Sequence, residues 1–161
     1  MTTSLVGMLA EAKGGPIDYH GKRVMMSYKI PVTTGQDVLV EILRYDNIFE
    51  QGIAISIDKR KGIVEVNSQK TNAPIFWTRT APRTFSFKCF PSKTTGVLNI
   101  WNVWENTEYK DNIDAWIGNA GLYVDQEEDG AIVFHCSNGM QQVDFENLVF
   151  RIKLNQYSGK D

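Results

Sequence analysis

The sequence predicts an all-β fold: an antiparallel β-sandwich, jelly-roll-like, with little helix. Three observations predict it. Apolar residues recur at every second position in run after run, the period of a half-buried strand. Clusters of Gly, Pro, Asn, Asp and Ser break these runs every 8–14 residues or so. Almost no stretch carries the 3.6-residue period of a helix, and short strands at such spacing favour a sandwich or barrel over βαβ units.

In chain order, residues 1–22 read as a short helix over Ser4 to Ala12, ended by Gly14, Gly15 and Pro16, or as a separate N-terminal arm. In VMMSYKI, Val24, Met26, Tyr28 and Ile30 share a face, and Pro31 ends the run. DVLVEILRY is apolar on both faces, with Val38, Val40 and Ile42 on one and Leu39, Leu43 and Tyr45 on the other, as in a strand covered on two sides. Ile53, Ile55 and Ile57 point inward opposite Ala54, Ser56 and Asp58. The charged turn DKRKG then leads to Ile63–Val66, so these two runs read as a hairpin. Pro74 and Pro82 bracket a short piece carrying Phe76 and Trp77, and TFSFKCF places Phe85, Phe87 and Cys89 together. Further on, GNAG allows a sharp bend, and Ile132, Phe134 and Cys136 share a face. The last run is the clearest: Leu148, Phe150, Ile152 and Leu154 alternate with Asn147, Val149, Arg151 and Lys153 and are expected to be buried.

A chain of 161 residues with 42% apolar and 22% charged residues reads as one globular domain over residues 1–161. It holds no apolar run of about 18 residues, so no membrane span is expected. The apolar patch Leu5 to Ala10 has no basic flank and is short for a signal peptide. A cytoplasmic location is the default, with secretion by another route left open. Cys89 and Cys136 read as buried thiols, with a disulfide as the alternative. The net charge of −2 hides an asymmetry. Residues 1–104 carry 13 Lys and Arg against 8 acids, while residues 105–129 carry eight acids against Lys110 alone. The basic residues are scattered along the sequence, which disfavours nucleic acid as a partner.

Residues 96–121 hold three of the four tryptophans. Trp101 and Trp104 are three apart on a strand and point to opposite faces. Trp104 sides with Leu98 and Ile100, so it belongs to the core, and Trp101 sides with Asn99 and is the better candidate for exposure. Large rings beside a polar loop suit recognition of sugars, which stack on apolar walls and need donors and acceptors for their hydroxyls. The candidate ligand-binding residues are therefore Trp101, Asn102, Glu105, Asn106, Tyr109, Asn112, Asp114 and Trp116. No spacing fixes a catalytic carboxylate pair, and His135 and Cys136, adjacent on a strand, point apart, so a non-catalytic role is expected.

Calcium needs six to eight oxygens, which loop carboxylates and amides can supply. Asp111, Asn112 and Asp114, then Asp125 and Asp129, then Asp144, Glu146 and Asn147 are candidates, against the alternative of a solvated acidic face. The segment VDFENLVFRIKL, Val143 to Leu154, resembles the closing strand of bacterial calcium-dependent lectins and related calcium-binding β-sandwiches. There an Asp-aromatic-Asn-Asp element runs into an apolar strand and binds calcium. The matching positions are Asp144, Phe145, Glu146 and Asn147, with Glu in place of Asn and Asn in place of the second Asp. The resemblance implies a lectin-like binding module, with calcium as an optional cofactor. The expected partner is a carbohydrate or a protein surface. The alternatives are a structural or protein-interaction sandwich that pairs with itself and, third, a glycan-active enzyme. Homo-oligomers are expected in either binding case, because an open sandwich leaves edge strands to pair and oligomers gain avidity.

Overall fold

The computed structural model describes residues 4–106 and 112–155. Helix α1 spans Leu5–Glu11. Ser4 caps it, its Oγ accepting from the Gly7 N–H at 3.1 Å, and Leu5 and Leu9 are fully buried. A hairpin follows, β1 (Ile17–Tyr19) with β2 (Lys22–Val24). Then come β3 (Tyr28–Thr33), β4 (Gln36–Tyr45), β5 (Glu50–Ile57), β6 (Ile63–Val66), β7 (Gln69–Thr71), β8 (Ile75–Trp77) and β9 (Thr84–Phe90). The chain continues through β10 (Thr95–Asn106), β11 (Asn112–Asp114), β12 (Gly121–Gln126), β13 (Ile132–Ser137) and β14 (Leu148–Asn155).

These strands form two main antiparallel sheets. The smaller runs β8-β5-β10, and the far side of β10 is shared, by β3 along Thr95–Ile100 and by β11 along Trp104–Asn106. The larger runs β12-β13-β14-β4-β9-β6-β7. With β3 to β10 counted first to eighth, the smaller sheet reads first-eighth-third-sixth, and four adjacent strands of the larger read second-seventh-fourth-fifth. That interleaving is the jelly roll, in which two Greek keys wind strands alternately into facing sheets. The meander β12–β14 extends the larger sheet beyond β4.

The alternation of each strand sends one set of side chains between the sheets. Ile53, Ile55 and Ile57 of β5 and Leu98 and Ile100 of β10 meet Phe87, Phe134, Phe150 and Ile152 of the larger sheet, and Trp104 is fully buried on the same side of β10. Phe134 stacks on Phe150 at 4.6 Å, and Tyr28 reaches across from β3 to meet Phe134 edge-on at 5.5 Å. The all-β sandwich, the helix near Ser4 and the inward Phe150 agree with the sequence reading, while Leu154 is only half-buried. Both cysteines are free and buried, and desolvation pushes the Cys89 thiol up to about 12 and raises that of Cys136 as well.

Four expectations are corrected. The runs expected to form a hairpin, β5 and β6, lie in different sheets. Asp58, Lys59 and Arg60 all have positive φ, and this tight left-handed turn carries the chain across the sandwich. The run expected over Val24 to Ile30 is broken, because Val24 closes β2 while Met25 bridges to Leu122. Pro31 does not end its strand. It lies within β3, which among the described residues pairs with β10 alone, so a missing N–H costs no ladder bond on the outer side. Finally, β4 is covered on one face: Val38, Val40 and Ile42 are buried, while Leu39 and Leu43 stay partly open on the outside.

Candidate functional site

The outer face of the smaller sheet is built from the second parity of the same strands. Opposed residues of antiparallel strands share a face, so Trp101 lies beside Ala54 and Ala54 beside Ile75, while Val103, Gly52 and Trp77 form the next row. Small side chains on β5 make room for large ones on its neighbours. At Gly52 there is space for nothing else, since a Cβ would stand 2.8 Å from the Trp77 ring. The rings of Trp77 and Trp101 thus rest on a floor of Gly52 and Ala54, each partly buried and partly exposed.

Trp116 completes this surface. Pairing with β3 stops at Ile100 and pairing with β11 begins at Trp104, which leaves a gap along β10 beside Trp101. The Trp116 ring fills it, with its centroid 5.1 Å from that of Trp101 and the planes 31° apart. Its indole N–H donates to the Met26 carbonyl at 3.0 Å. Its φ is +54°, a conformation that bulky residues avoid, so the backbone here is held against its own preference. Ile113, opposite Glu105 on this face, is 50% exposed, and Ile117, next to Trp116 in the chain, is 47% exposed.

Of the other sequence-predicted ligand residues, Glu105 is half-buried on this face, opposite Glu50 of β5 and Ile113 of β11. Asn106 pairs with Asn112 through the backbone, and the Asn112 amide donates to Asp114 at 3.2 Å. Tyr109 and Asp111, and most of the loop expected to carry the site, lie outside the described residues. Asn102 is not on this surface. It has the parity of Trp104, is buried, and donates from Nδ2 to the Ser137 carbonyl at 3.0 Å. Sequence reasoning missed Trp77, although the run of small residues at Gly52, Ala54 and Ser56 signalled a surface covered from outside.

The candidate metal ligands are dispersed. Asp125 faces His135 at 3.0 Å, Asp129 accepts from the Ala131 N–H and meets Lys153 at 3.3 Å, and Glu146 pairs with Arg44. Asp144 accepts from the Glu146 N–H at 2.9 Å. Asn147 is buried as a loop organiser, its Oδ1 accepting from the Asn138 N–H and its amide donating to Asp46 at 2.8 Å. These residues, including the four that match the lectin element, do not converge on one point. Among the described residues no group of three or more His, Cys, Asp or Glu could hold a metal ion. The acidic stretch 105–129 is also divided. Glu105 and Asp114 belong to the smaller sheet, while Asp125, Glu127 and Asp129 lie on the outer face of the larger one. There Arg151 is clasped by Glu41 at 2.7 Å and Glu127 at 2.8 Å, and both carboxylates raise its pKa.

Beyond Trp101 along β10, the smaller sheet ends in two turns tied together by one carboxylate. Asp58 accepts from the N–H groups of Val97 at 2.9 Å and Ser92 at 3.0 Å, and from the Ser92 hydroxyl at 3.1 Å. The Val97 and Ser92 N–H groups hold its pKa below the ordinary 3.8. A carboxyl with a depressed folded-state pKa contributes stability that is full above the unfolded value and is lost as pH falls through the folded one. Asp58→Asn should therefore flatten the loss of melting temperature below about pH 4 relative to the parent, the range set by the reference carboxyl. Parallel acid limbs in the two proteins would count against this role.

Comparison with protein-family models, with curated proteins and with solved structures finds no match. None of the described helices is long and apolar enough to cross a membrane.

Proposed function

We propose that this protein is a non-catalytic carbohydrate-binding module whose platform is Trp101 and Trp116, with Trp77 beside them, on the outer face of the smaller sheet. The observation that carries this reading is the pair of adjoining, partly exposed indoles laid against a rigid sheet. Their open faces can stack on the apolar side of a pyranose ring. Glu105 and Asn99, on the same strand and face, supply polar groups for hydroxyls. The reading takes no calcium, because Asp125, Asp129 and Glu146 are each already met by a cationic or imidazole side chain.

Trp116→Ala tests it. A glycan array, run with calcium and with chelator, should show binding by the parent that is indifferent to the metal. In the variant binding should weaken about tenfold or more, the size of a lost stacking contact. The fold should survive, since the ring is 38% exposed. A well-folded variant that binds sugars like the parent would sink the reading. The exposed Ile113 and Ile117 favour one second reading, a protein-contact surface that includes self-association. In that case the parent sediments as an oligomer, Trp116→Ala as a monomer, and neither responds on the array.

A further inference from the structure

Four lysines that are far apart in sequence meet at the end of the smaller sheet. Lys29 comes from β3, Lys59 and Lys61 from the turn after β5, and Lys93 from the turn before β10, and together they line a groove of about 580 Å³. None of the four forms an ion pair among the described residues, whereas Lys88, Arg151 and Lys153 on the larger sheet all do. The one carboxylate in the groove wall, Asp58, is occupied by its three hydrogen bonds to the neighbouring turn. Four lysines against the single charge of Asp58 leave the groove with an excess of positive charge, which favours an anion.

Its place on the sheet narrows the anion. Asn99 lines the groove and stands on the same face of β10 as Trp101, two residues or about 7 Å away. The Asn99 Oδ1 is buried without a hydrogen-bond partner where the groove meets the tryptophan face. At the other end of the face, Glu105 stands opposite Glu50, and Glu50 is met by Arg79 at 3.8 Å. Along the direction of β10 the face thus runs from lysines, through indoles, to carboxylates. A long, uniformly charged polyanion laid along it would run onto Glu105, while a short ligand with an acidic group at one end would not.

We propose that the lysine groove receives the carboxylate or sulfate of an acidic sugar whose neighbouring ring lies on Trp101. The inference rests on the carbohydrate reading and specifies its ligand class. The test is calorimetric titration of the whole protein with hexagalacturonate, with its methyl ester, with a heparin hexasaccharide and with a twelve-residue oligothymidylate, at low and high salt. One of the two acidic sugars should bind at least about tenfold more tightly than the uncharged ester, the effect of one charge-assisted hydrogen bond. That advantage should fade at high salt. Replacing Lys59 and Lys61 by Gln should bring the acidic sugar down to the level of the ester. Lys29→Gln with Lys93→Gln is a second variant built outside the tight turn.

Equal binding of acid and ester, still lost in Trp116→Ala, would overturn the acidic-sugar inference and leave the carbohydrate platform standing. Oligothymidylate binding more tightly than either acidic sugar would overturn it in favour of nucleic acid. No binding of any sugar by the folded protein would remove both readings together.

Discussion

Phe150→Ala is expected to lower the unfolding free energy by about 3–5 kcal/mol, the usual result of emptying an aromatic core site. Phe150 is fully buried at the middle of β14, stacked on Phe134 in β13 with the planes 8° apart. Phe134 in turn meets Tyr28 of the other sheet. Removal of the ring therefore opens a void at the point where both sheets touch, and close-packed neighbours on β4 and β13 can collapse into it only partly. Denaturant unfolding followed by tryptophan fluorescence measures the loss. A drop of less than about 1.5 kcal/mol, nearer the cost of trimming a methyl group, would mean that the strand packs elsewhere.

Gly139→Ala should cost about 3 kcal/mol, the upper end of what overpacking does. A methyl group at Gly139 would overlap the Ile117 carbonyl oxygen and come within 2.8 Å of the Trp104 ring. Trp104 is wholly buried and Ile117 is backbone, so neither neighbour can simply swing aside. Gly118 faces the same contact from the other side, with its own φ at +58°. The two glycines let the segment carrying Trp116 lie close against the turn after β13. The variant should therefore lose ligand binding along with stability. Gly130→Ala is the comparison. Nothing stands within 4 Å of it and only its φ of +88° is unfavourable, so it should cost about 1–2 kcal/mol and spare binding. Equal stability losses in the two variants would show that space at Gly139 is not what matters.

Much of this architecture is legible in the sequence, because alternation states which way a side chain points. Phe150 and Ile152, Phe87 and Cys89, and Trp104 against Trp101 all follow from parity. The same rule, applied to Asn102, places it inside with Trp104, and its grouping with the surface asparagines had ignored that. Alternation does not state which sheet a strand joins. DKRKG has the composition of a hairpin turn, yet three consecutive left-handed residues send β6 across the sandwich. The tryptophan platform was half legible. Trp101 and Trp116 were visible as rings near a polar loop, whereas Trp77 reaches them only through pairing of β5 with β8. The lysine groove was invisible, since Lys29, Lys59 and Lys93 are each more than 25 residues apart along the chain. They look scattered until the turns at one end of the jelly roll are brought together.

The pairing of β3 with β10, a strand made some sixty residues later, has a consequence for how the protein is made. A strand finished at Thr33 has no partner in its sheet until Thr95 and the residues after it have left the ribosome. Its neighbour in the chain, β4, gains β9 slightly earlier but stays open on its other edge until Leu154 arrives to pair with Val38. Contacts this distant make folding slow, on the scale of milliseconds to seconds, since the entropy of closing long loops is lost before any pairing rewards it. Until then the unpaired edges of β3 and β4, rich in Val and Ile, are exposed to other chains. The growing protein is thus most prone to aggregate midway through synthesis, and a stall before β14 would release a chain with the edge of β4 open.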